Sequence, residues 1–155
     1  MNEREIYVPP GGPPRVTPPN SEIYAAMGEE NIFAMLRDFY QELGGSSISH
    51  LFTGDLIVAA DRSAAFFVGL LGGPPLYQQL YGNPMMRARH MPFVIDEDAR
   101  MEWLRCFATV LEDAPFRYKF PAKHIPGFWG FLEGFSSWMV NTGPPTKETR
   151  IDLHG

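Results

Sequence analysis

The sequence contains one cysteine, Cys106, in 155 residues. A single cysteine excludes a disulfide bond within the chain and a metal site built from several cysteine ligands. The sequence offers this thiol no obvious catalytic partner. We therefore interpret Cys106 as a buried structural residue rather than a nucleophile.

Long apolar runs and clusters of positive charge are also lacking. The longest apolar stretch, residues 56–71, is interrupted by Asp61 and Arg62 and falls short of the roughly 20 residues that a membrane-spanning helix needs. A formal net charge of −5 without a basic run argues against nucleic-acid binding. The N-terminus lacks the basic-then-apolar pattern of a secretory signal. These features predict a cytoplasmic protein that contacts neither membrane nor nucleic acid.

The common catalytic and metal-binding motifs are absent as well. The sequence has no H-E-x-x-H, G-x-S-x-G, G-x-G-x-x-G or P-loop pattern. His50, His124 and His154 are too far apart in sequence to form the paired ligands of a helical metal site. The acidic run 96–98 lacks the spacing of a calcium loop and is better interpreted as the start of a helix.

Proline and glycine are abundant, with 15 residues of each. Many of the prolines lie at 9–14 and 18–19, where they cannot donate backbone hydrogen bonds or continue a helix. We therefore predict a Pro/Gly-rich N-terminal extension over residues 1–20, one folded domain over 21–142 and a C-terminal tail over 143–155.

Apolar residues in the predicted domain recur at spacings of three and four, which is typical of helices packed on one face. The first long helix should end at Gly44-Gly45 and the second at Gly72-Gly73, while Asp96 should cap the third. The predicted inner faces are Phe33, Leu36, Phe39 and Leu43; Leu56, Ala59, Ser63, Phe66 and Leu70; Trp103, Phe107, Val110 and Leu111; and Phe128, Phe131, Phe135 and Trp138. Sustained two-residue alternation is missing, so the predicted fold class is all-α.

His90 stands out among the candidate functional residues. It ends a short predicted helix, with Asn83-Pro84 as the N-cap and first position, and Pro92 stops that helix at once. A histidine confined in this way has a fixed direction, which suits a metal ligand. It could equally be a helix-terminal histidine that favours the helix dipole. Local features alone leave both interpretations open.

Several motifs at their spacing resemble a truncated haemoglobin of group II. The matching residues are Gly72-Gly73-Pro74, Tyr77, Gly82, Pro84, Arg87-Ala88-Arg89-His90-Met91-Pro92-Phe93, Ala99-Arg100 and Trp103-Leu104-Arg105-Cys106. The match covers about Ile23 to Asn141. It implies a 2-on-2 helical sandwich around a haem.

The resemblance implies a role for each matching residue near the haem. His90 matches the proximal histidine, which bonds iron through Nε2 while its Nδ1–H donates to a backbone carbonyl one turn earlier, near Met86. Arg89 matches the arginine that pairs with a haem propionate, and Tyr77 a second propionate contact. The implied contacts to the porphyrin are Met86, Phe93, Phe52 and Phe67.

Four residues are implied on the ligand side of the haem. Tyr40 matches the tyrosine that hydrogen-bonds the bound ligand, with a rim position in water as its alternative. Trp103 matches the group's distal tryptophan, whose indole N–H only donates. Ala59 falls where many globins carry histidine or glutamine, and a small residue there leaves an open route. Ser63, one turn on, either bonds its own helix backbone, which we favour, or adds a weak donor.

The resemblance further implies a haem b held without covalent attachment, because the chain has no C-x-x-C-H motif. Its pentacoordinate iron would reversibly bind O2, NO and CO. A ligand that two hydrogen-bond donors hold is bound tightly, which favours scavenging, sensing or redox chemistry over bulk oxygen transport. The alternative is a peroxidase-like or NO dioxygenase enzyme on the same fold, which would need a separate reductase because no flavin or nicotinamide motif is present. A third hypothesis is a haem-free helical interaction module whose proline-rich segment binds a partner.

Overall fold

A computed structural model describes residues 7–10, 12–13 and 15–143. Within these ranges the chain is helical and contains no strand. The α-helices in chain order are α1 (Ile23–Met27), α2 (Glu29–Gly44), α3 (Leu56–Leu70), α4 (Leu76–Tyr81), α5 (Met86–His90), α6 (Glu97–Leu111), α7 (Ala114–Arg117) and α8 (Ile125–Met139). Two 3₁₀ turns, Ser49–Leu51 and Ala122–His124, complete the set. The all-α prediction is confirmed.

The four long helices form the packed body of the fold. Helix α2 packs against α3 and α6, and α6 also packs against α8. Phe39, Phe107 and Phe128 connect α2, α6 and α8, with ring centroids 4.0 Å apart for the first pair and 5.7 Å for the second. Each of these rings is at most 1 % exposed. Burying a phenylalanine contributes about 1.5–3 kcal/mol, so this aromatic stack is a main source of stability.

Local sequence explains where the long helices begin and end. The Asp96 carboxylate accepts a hydrogen bond from the Ala99 amide at 2.8 Å, and the prediction of an N-cap here is confirmed. Helix α3 ends in a Schellman motif at Gly72, which has φ +106°. The Gly72 amide donates to Gly69 O and the Gly73 amide to Val68 O, the pairing that defines this motif. Helix α2 ends at Gly44, as predicted.

The start of α5 differs from the prediction. Asn83 and Pro84 lie outside the helix, and Met85 precedes it in the left-handed region with φ 40°. The backbone oxygens of Asn83 and Pro84 instead accept hydrogen bonds from the Arg89 guanidinium at 2.9 and 2.5 Å. Met85, not Asn83, is therefore the residue that precedes α5. The prediction of N-cap and first position was wrong by two residues.

Three short helices, α1, α4 and α7, lacked a periodic signal in the sequence because none exceeds six residues. Helix α7 carries Pro115 in its first turn, where proline is compatible with a helix. These helices are held by packing. Ala114 in α7 and Ile23 in α1 are fully buried.

The described part of the predicted N-terminal extension lies against the body. Val16 contacts α8 at Gly134, where an added methyl group would meet Val16 Cγ2 at 2.6 Å. The Tyr7 amide donates to Asn141 O at 2.9 Å. Of the predicted tail 143–155, only Gly143 is described. The three-part division of the chain remains a prediction.

None of the helices in the described ranges is long and apolar enough to cross a membrane.

Candidate functional site

Helices α2 to α6, α8 and the turn after α2 enclose a cavity of about 670 Å³. This volume is in the usual range for a small-molecule or cofactor site. Every residue assigned to the site from the sequence lines this one cavity: Tyr40, Phe52, Ala59, Ser63, Phe67, Tyr77, Met86, Arg89, His90, Phe93 and Trp103. Ile48, Leu51, Ile95 and Phe135 add further apolar wall.

His90 is the last residue of α5 and has a defined orientation. Its Nδ1 lies 2.6 Å from Met86 O, four residues earlier on the same helix. A carbonyl oxygen only accepts, so Nδ1 carries the proton and Nε2 keeps its lone pair. Burial lowers the pKa of the imidazole, and the hydrogen bond to Met86 partly opposes that shift. The neutral ring with a free Nε2 is the form that binds a metal ion.

Tyr40 projects from α2 and meets Ser63 of α3. The nearby Ser63 side chain lowers the pKa of Tyr40. Burial has the larger effect and raises the pKa of Tyr40, so the hydroxyl stays protonated. Ser63 thus lies near a residue of another helix, and its predicted bond to its own helix backbone stays a prediction.

Trp103 and Phe52 lie beside Tyr40 in an aromatic cluster. The Trp103 ring is 5.4 Å from Phe39 and nearly perpendicular to it, and the Phe52 ring is 5.7 Å from Tyr40 in a similar arrangement. Edge-to-face contacts of this kind hold ring planes in preferred orientations. Ala59 adds only a methyl group to the cavity wall. The cluster therefore presents two side chains with polar hydrogens, Tyr40 and Trp103, among apolar surfaces.

Arg89 and Tyr77 lie together near the start of α5. The Arg89 guanidinium is 5.6 Å from the centre of the Tyr77 ring, in cation–π range. Its hydrogen bonds to the Asn83 and Pro84 carbonyls fix its position. Arg89 is exposed and Tyr77 is buried. This pair forms a positively charged edge of the cavity.

Two further arginines line the cavity, and sequence analysis assigned a role to neither. Arg62 of α3 lies 5.0 Å from the Tyr81 ring centre, and Arg100 of α6 donates to Ser136 Oγ at 3.0 Å. Arg62 follows Ala59 by three residues and Arg100 precedes Trp103 by three. This helical spacing was the signal that could have identified them.

The residues of the cavity suit a haem. His90 offers an imidazole nitrogen, the apolar walls suit a porphyrin, and Arg62 and Arg89 provide positive charge for its two propionates, whereas Arg100 is paired with Glu97. Among the described lining residues there is no carboxylate that would repel those propionates. His90 would hold the iron, and Arg89 would be joined by Arg62 at the propionates. The ring would be contacted by Met86, Phe93, Phe52 and Phe67.

A short all-helical fold closed around such a cavity defines a globin of the 2-on-2 kind. The family model of the bacterial-like globins matches residues 22–141. The chain is 36 % identical over 119 residues to group 2 truncated haemoglobin YjbI of Bacillus subtilis, a match that covers 76 % of this chain and 87 % of the relative. The chain belongs to the bacterial-like globins and is a haem-binding truncated haemoglobin of group II type, as the sequence motifs predicted.

Solved structures agree with this assignment. The crystal structure of phosphate-bound Hell's gate globin IV superposes with a TM-score of 0.77 at 35 % identity and covers 92 % of both chains. The group II truncated haemoglobin of Bacillus anthracis gives a TM-score of 0.72 at 30 % identity, covering 85 % of this chain and 98 % of the other.

Proposed function

We propose that this protein binds O2, NO and CO reversibly at a haem b held by His90 without a covalent link. The observation that carries the proposal is one cavity with a neutral, fixed imidazole on α5 and two polar-hydrogen donors on α2 and α6. Bound there, the haem would supply a pentacoordinate iron whose sixth position is open to a diatomic ligand. The protein supplies the axial base, the apolar walls and the hydrogen-bond donors.

The two hydrogen-bond donors determine which ligands the pocket would stabilise. The Tyr40 hydroxyl is protonated at neutral pH, burial raises its pKa further, and the Trp103 indole can only donate. Both would stabilise a ligand that gains partial negative charge, as O2 does, far more than neutral CO. Such retention suits scavenging, sensing or redox chemistry better than bulk transport.

The side chains that line the cavity also indicate how well the protein would support peroxidase-like turnover. Of the described residues around the cavity, His90 is the sole imidazole, and Asp or Glu side chains are missing from the set. A proton shuttle for peroxide cleavage therefore lacks the usual acid–base group on the Tyr40 side. We accordingly favour ligand binding over peroxidase activity.

The first prediction concerns haem uptake. The purified apoprotein should take up one equivalent of haemin and develop a Soret band, and His90→Gly should lose the normal ferrous spectrum because its axial base is missing. Added imidazole should restore that spectrum in His90→Gly. The matched control His50→Gly, in the exposed turn after α2, should behave like the wild type. A wild-type protein that takes up no haemin would refute the proposal.

The second prediction separates ligand binding from enzyme activity. With hydrogen peroxide and a reducing dye in a stopped-flow instrument, the haem-loaded protein should show turnover at least about 100-fold below that of a peroxidase, because acid–base catalysis of this kind contributes 10²–10⁴-fold. Installing a base at the open position, Ala59→His, should raise the rate. Peroxidase-level turnover in the wild type would favour the enzyme hypothesis. Nitric oxide dioxygenation would be assayed separately with an added reductase.

A further inference from the structure

Helix α5 is too short to orient His90 on its own. It spans five residues, and the residue before it, Met85, has φ 40° and no side-chain cap. Isolated helices shorter than about 12 residues are marginal in water, so α5 has little stability of its own. The direction of the His90 ring must therefore depend on contacts made by other parts of the chain.

Asn141, just after α8, supports the backbone on one side of His90. Its side chain is almost fully buried, and Nδ2 donates to His90 O at 3.2 Å and to Phe93 O at 2.9 Å. Its Oδ1 accepts from the Ile95 amide at 3.0 Å, and its own amide donates to Ile95 O at 2.9 Å. One amide side chain thus ties the whole segment that follows His90 to the end of α8.

Arg87 supports the other side of His90. It lies three residues earlier on α5 and donates to the carbonyls of Trp138 and Val140, the latter at 2.9 Å. These carbonyls belong to the C-terminal end of α8, where a positive charge is favourable. The guanidinium also lies 4.4 Å from the centre of the Trp138 ring. Burial lowers the pKa of this arginine, so the carbonyls stabilise a partly desolvated cation.

Tyr7 in the N-terminal extension joins these two supports through its backbone. Its carbonyl accepts from Arg87 Nη2 at 2.8 Å, and its amide donates to Asn141 O at 2.9 Å. The extension thereby completes a network of hydrogen bonds that spans the chain from residue 7 to residue 141. Contacts this distant in sequence cannot arise from local helix formation.

We infer that Arg87 and Asn141 are positioning residues for His90, and that the Tyr7 backbone locks them together. We call these three residues the proximal brace. The inference rests on the proposed function, since His90 is taken as the axial base. The brace fixes the backbone before and after His90, and the bond from Nδ1 to Met86 O then fixes the ring. Weakening the proximal brace should allow the His90 ring to tilt and should increase the rate of haem dissociation.

The test compares Asn141→Asp with Asn31→Asp. The first change keeps the acceptor for Ile95 but replaces the donor to His90 O and Phe93 O by a carboxylate oxygen. Haem transfer to an excess acceptor globin should become about 10-fold faster, as for other changes behind a metal ligand. The iron–histidine stretching band of the ferrous form should also shift or broaden. Asn31, which donates to Met27 O within the α1–α2 region, should leave both readouts unchanged.

A second pair of variants isolates the Tyr7 backbone. Tyr7→Pro removes the amide that donates to Asn141 O, whereas Tyr7→Ala keeps it while losing the same ring. Haem loss should be about threefold faster in Tyr7→Pro than in Tyr7→Ala, with the same change in the band. If Asn141→Asp does not fold, the comparison of Tyr7→Pro with Tyr7→Ala still tests the inference.

The outcomes are distinguishable. Wild-type protein with a normal haem spectrum and variants with an unchanged band would overturn the inference alone. Faster haem loss with an unchanged band and a matching loss of apoprotein stability would also overturn it, because general destabilisation then explains the effect. A wild type that binds no haem would overturn both the brace and the proposed function.

Discussion

Replacing Tyr40 and Trp103 together by phenylalanine is expected to speed O2 release about 100-fold. Each residue offers one donor to the ligand, and a hydrogen bond in a dry pocket contributes about 1.4 kcal/mol, or a factor of ten. Phenylalanine retains the ring contacts to Phe52 and Phe39, so the change removes donors more than packing. The rate would be measured by displacing O2 with excess CO in a stopped-flow instrument.

Two matched variants control for loss of an aromatic donor elsewhere. Tyr118→Phe removes a hydroxyl that donates to Asp38, and Trp129→Phe changes a partly buried ring of α8. Neither residue lines the cavity, so O2 release should stay within about twofold of the wild type. Each single change at Tyr40 or Trp103 should give roughly tenfold. A double variant that releases O2 at the wild-type rate would contradict the donor roles.

Gly72→Ala is expected to destabilise the apoprotein by about 3 kcal/mol or more. Gly72 has φ +106°, outside the region that alanine adopts without strain, and its added methyl group would lie 1.9 Å from Ser21 O. To avoid this overlap, either the Schellman motif at the end of α3 or the close contact with Ser21 before α1 must be disrupted. For a domain of this size the melting temperature should fall by about 10 °C. Urea titration followed by circular dichroism would measure the loss.

Gly130→Ala is the matched control for this change. Gly130 lies within α8, and an added methyl group there meets nothing within 4 Å. Alanine is favoured over glycine in a helix by about 1 kcal/mol, so the free energy of unfolding should rise or stay constant. Equal stability of Gly72→Ala and wild type would mean that the tight approach at Ser21 relaxes without cost.

The long helices were predictable because their signals are local. Apolar spacing, the Asp96 cap and the Gly72-Gly73 stop act within a few residues of the positions they determine. Helices α1, α4 and α7 were not predictable in this way, since each is shorter than two turns and depends on burial by distant residues. The start of α5 was misplaced for a related reason. In a regular first turn the backbone carbonyls of Asn83 and Pro84 would accept hydrogen bonds from helix amides. Here they accept from the Arg89 side chain instead.

In the candidate site too, local features were predictable and contacts between distant residues were not. The motif around His90 indicated the family, and the Nδ1 contact with Met86 follows from the spacing of one helical turn. The proximity of Ser63 to Tyr40 brings together residues of two helices, and no local spacing encodes it. Arg62 and Arg100 lie at helical spacing from Ala59 and Trp103, but only the closed cavity shows that they line it.

The sequence by itself determined the all-α class, the limits of the long helices and the family to which the chain belongs. Each of these depends on patterns that repeat or match within short stretches. Only the tertiary structure decided which side chains share the cavity and that Arg87 and Asn141 hydrogen-bond to the backbone around His90 and at the end of α8. The side chains of Arg87 and Asn141 hydrogen-bond to residues that are 46 to 80 positions away, and no local preference encodes such contacts. They form because packing α5 against α8 buries polar backbone groups that must then find partners.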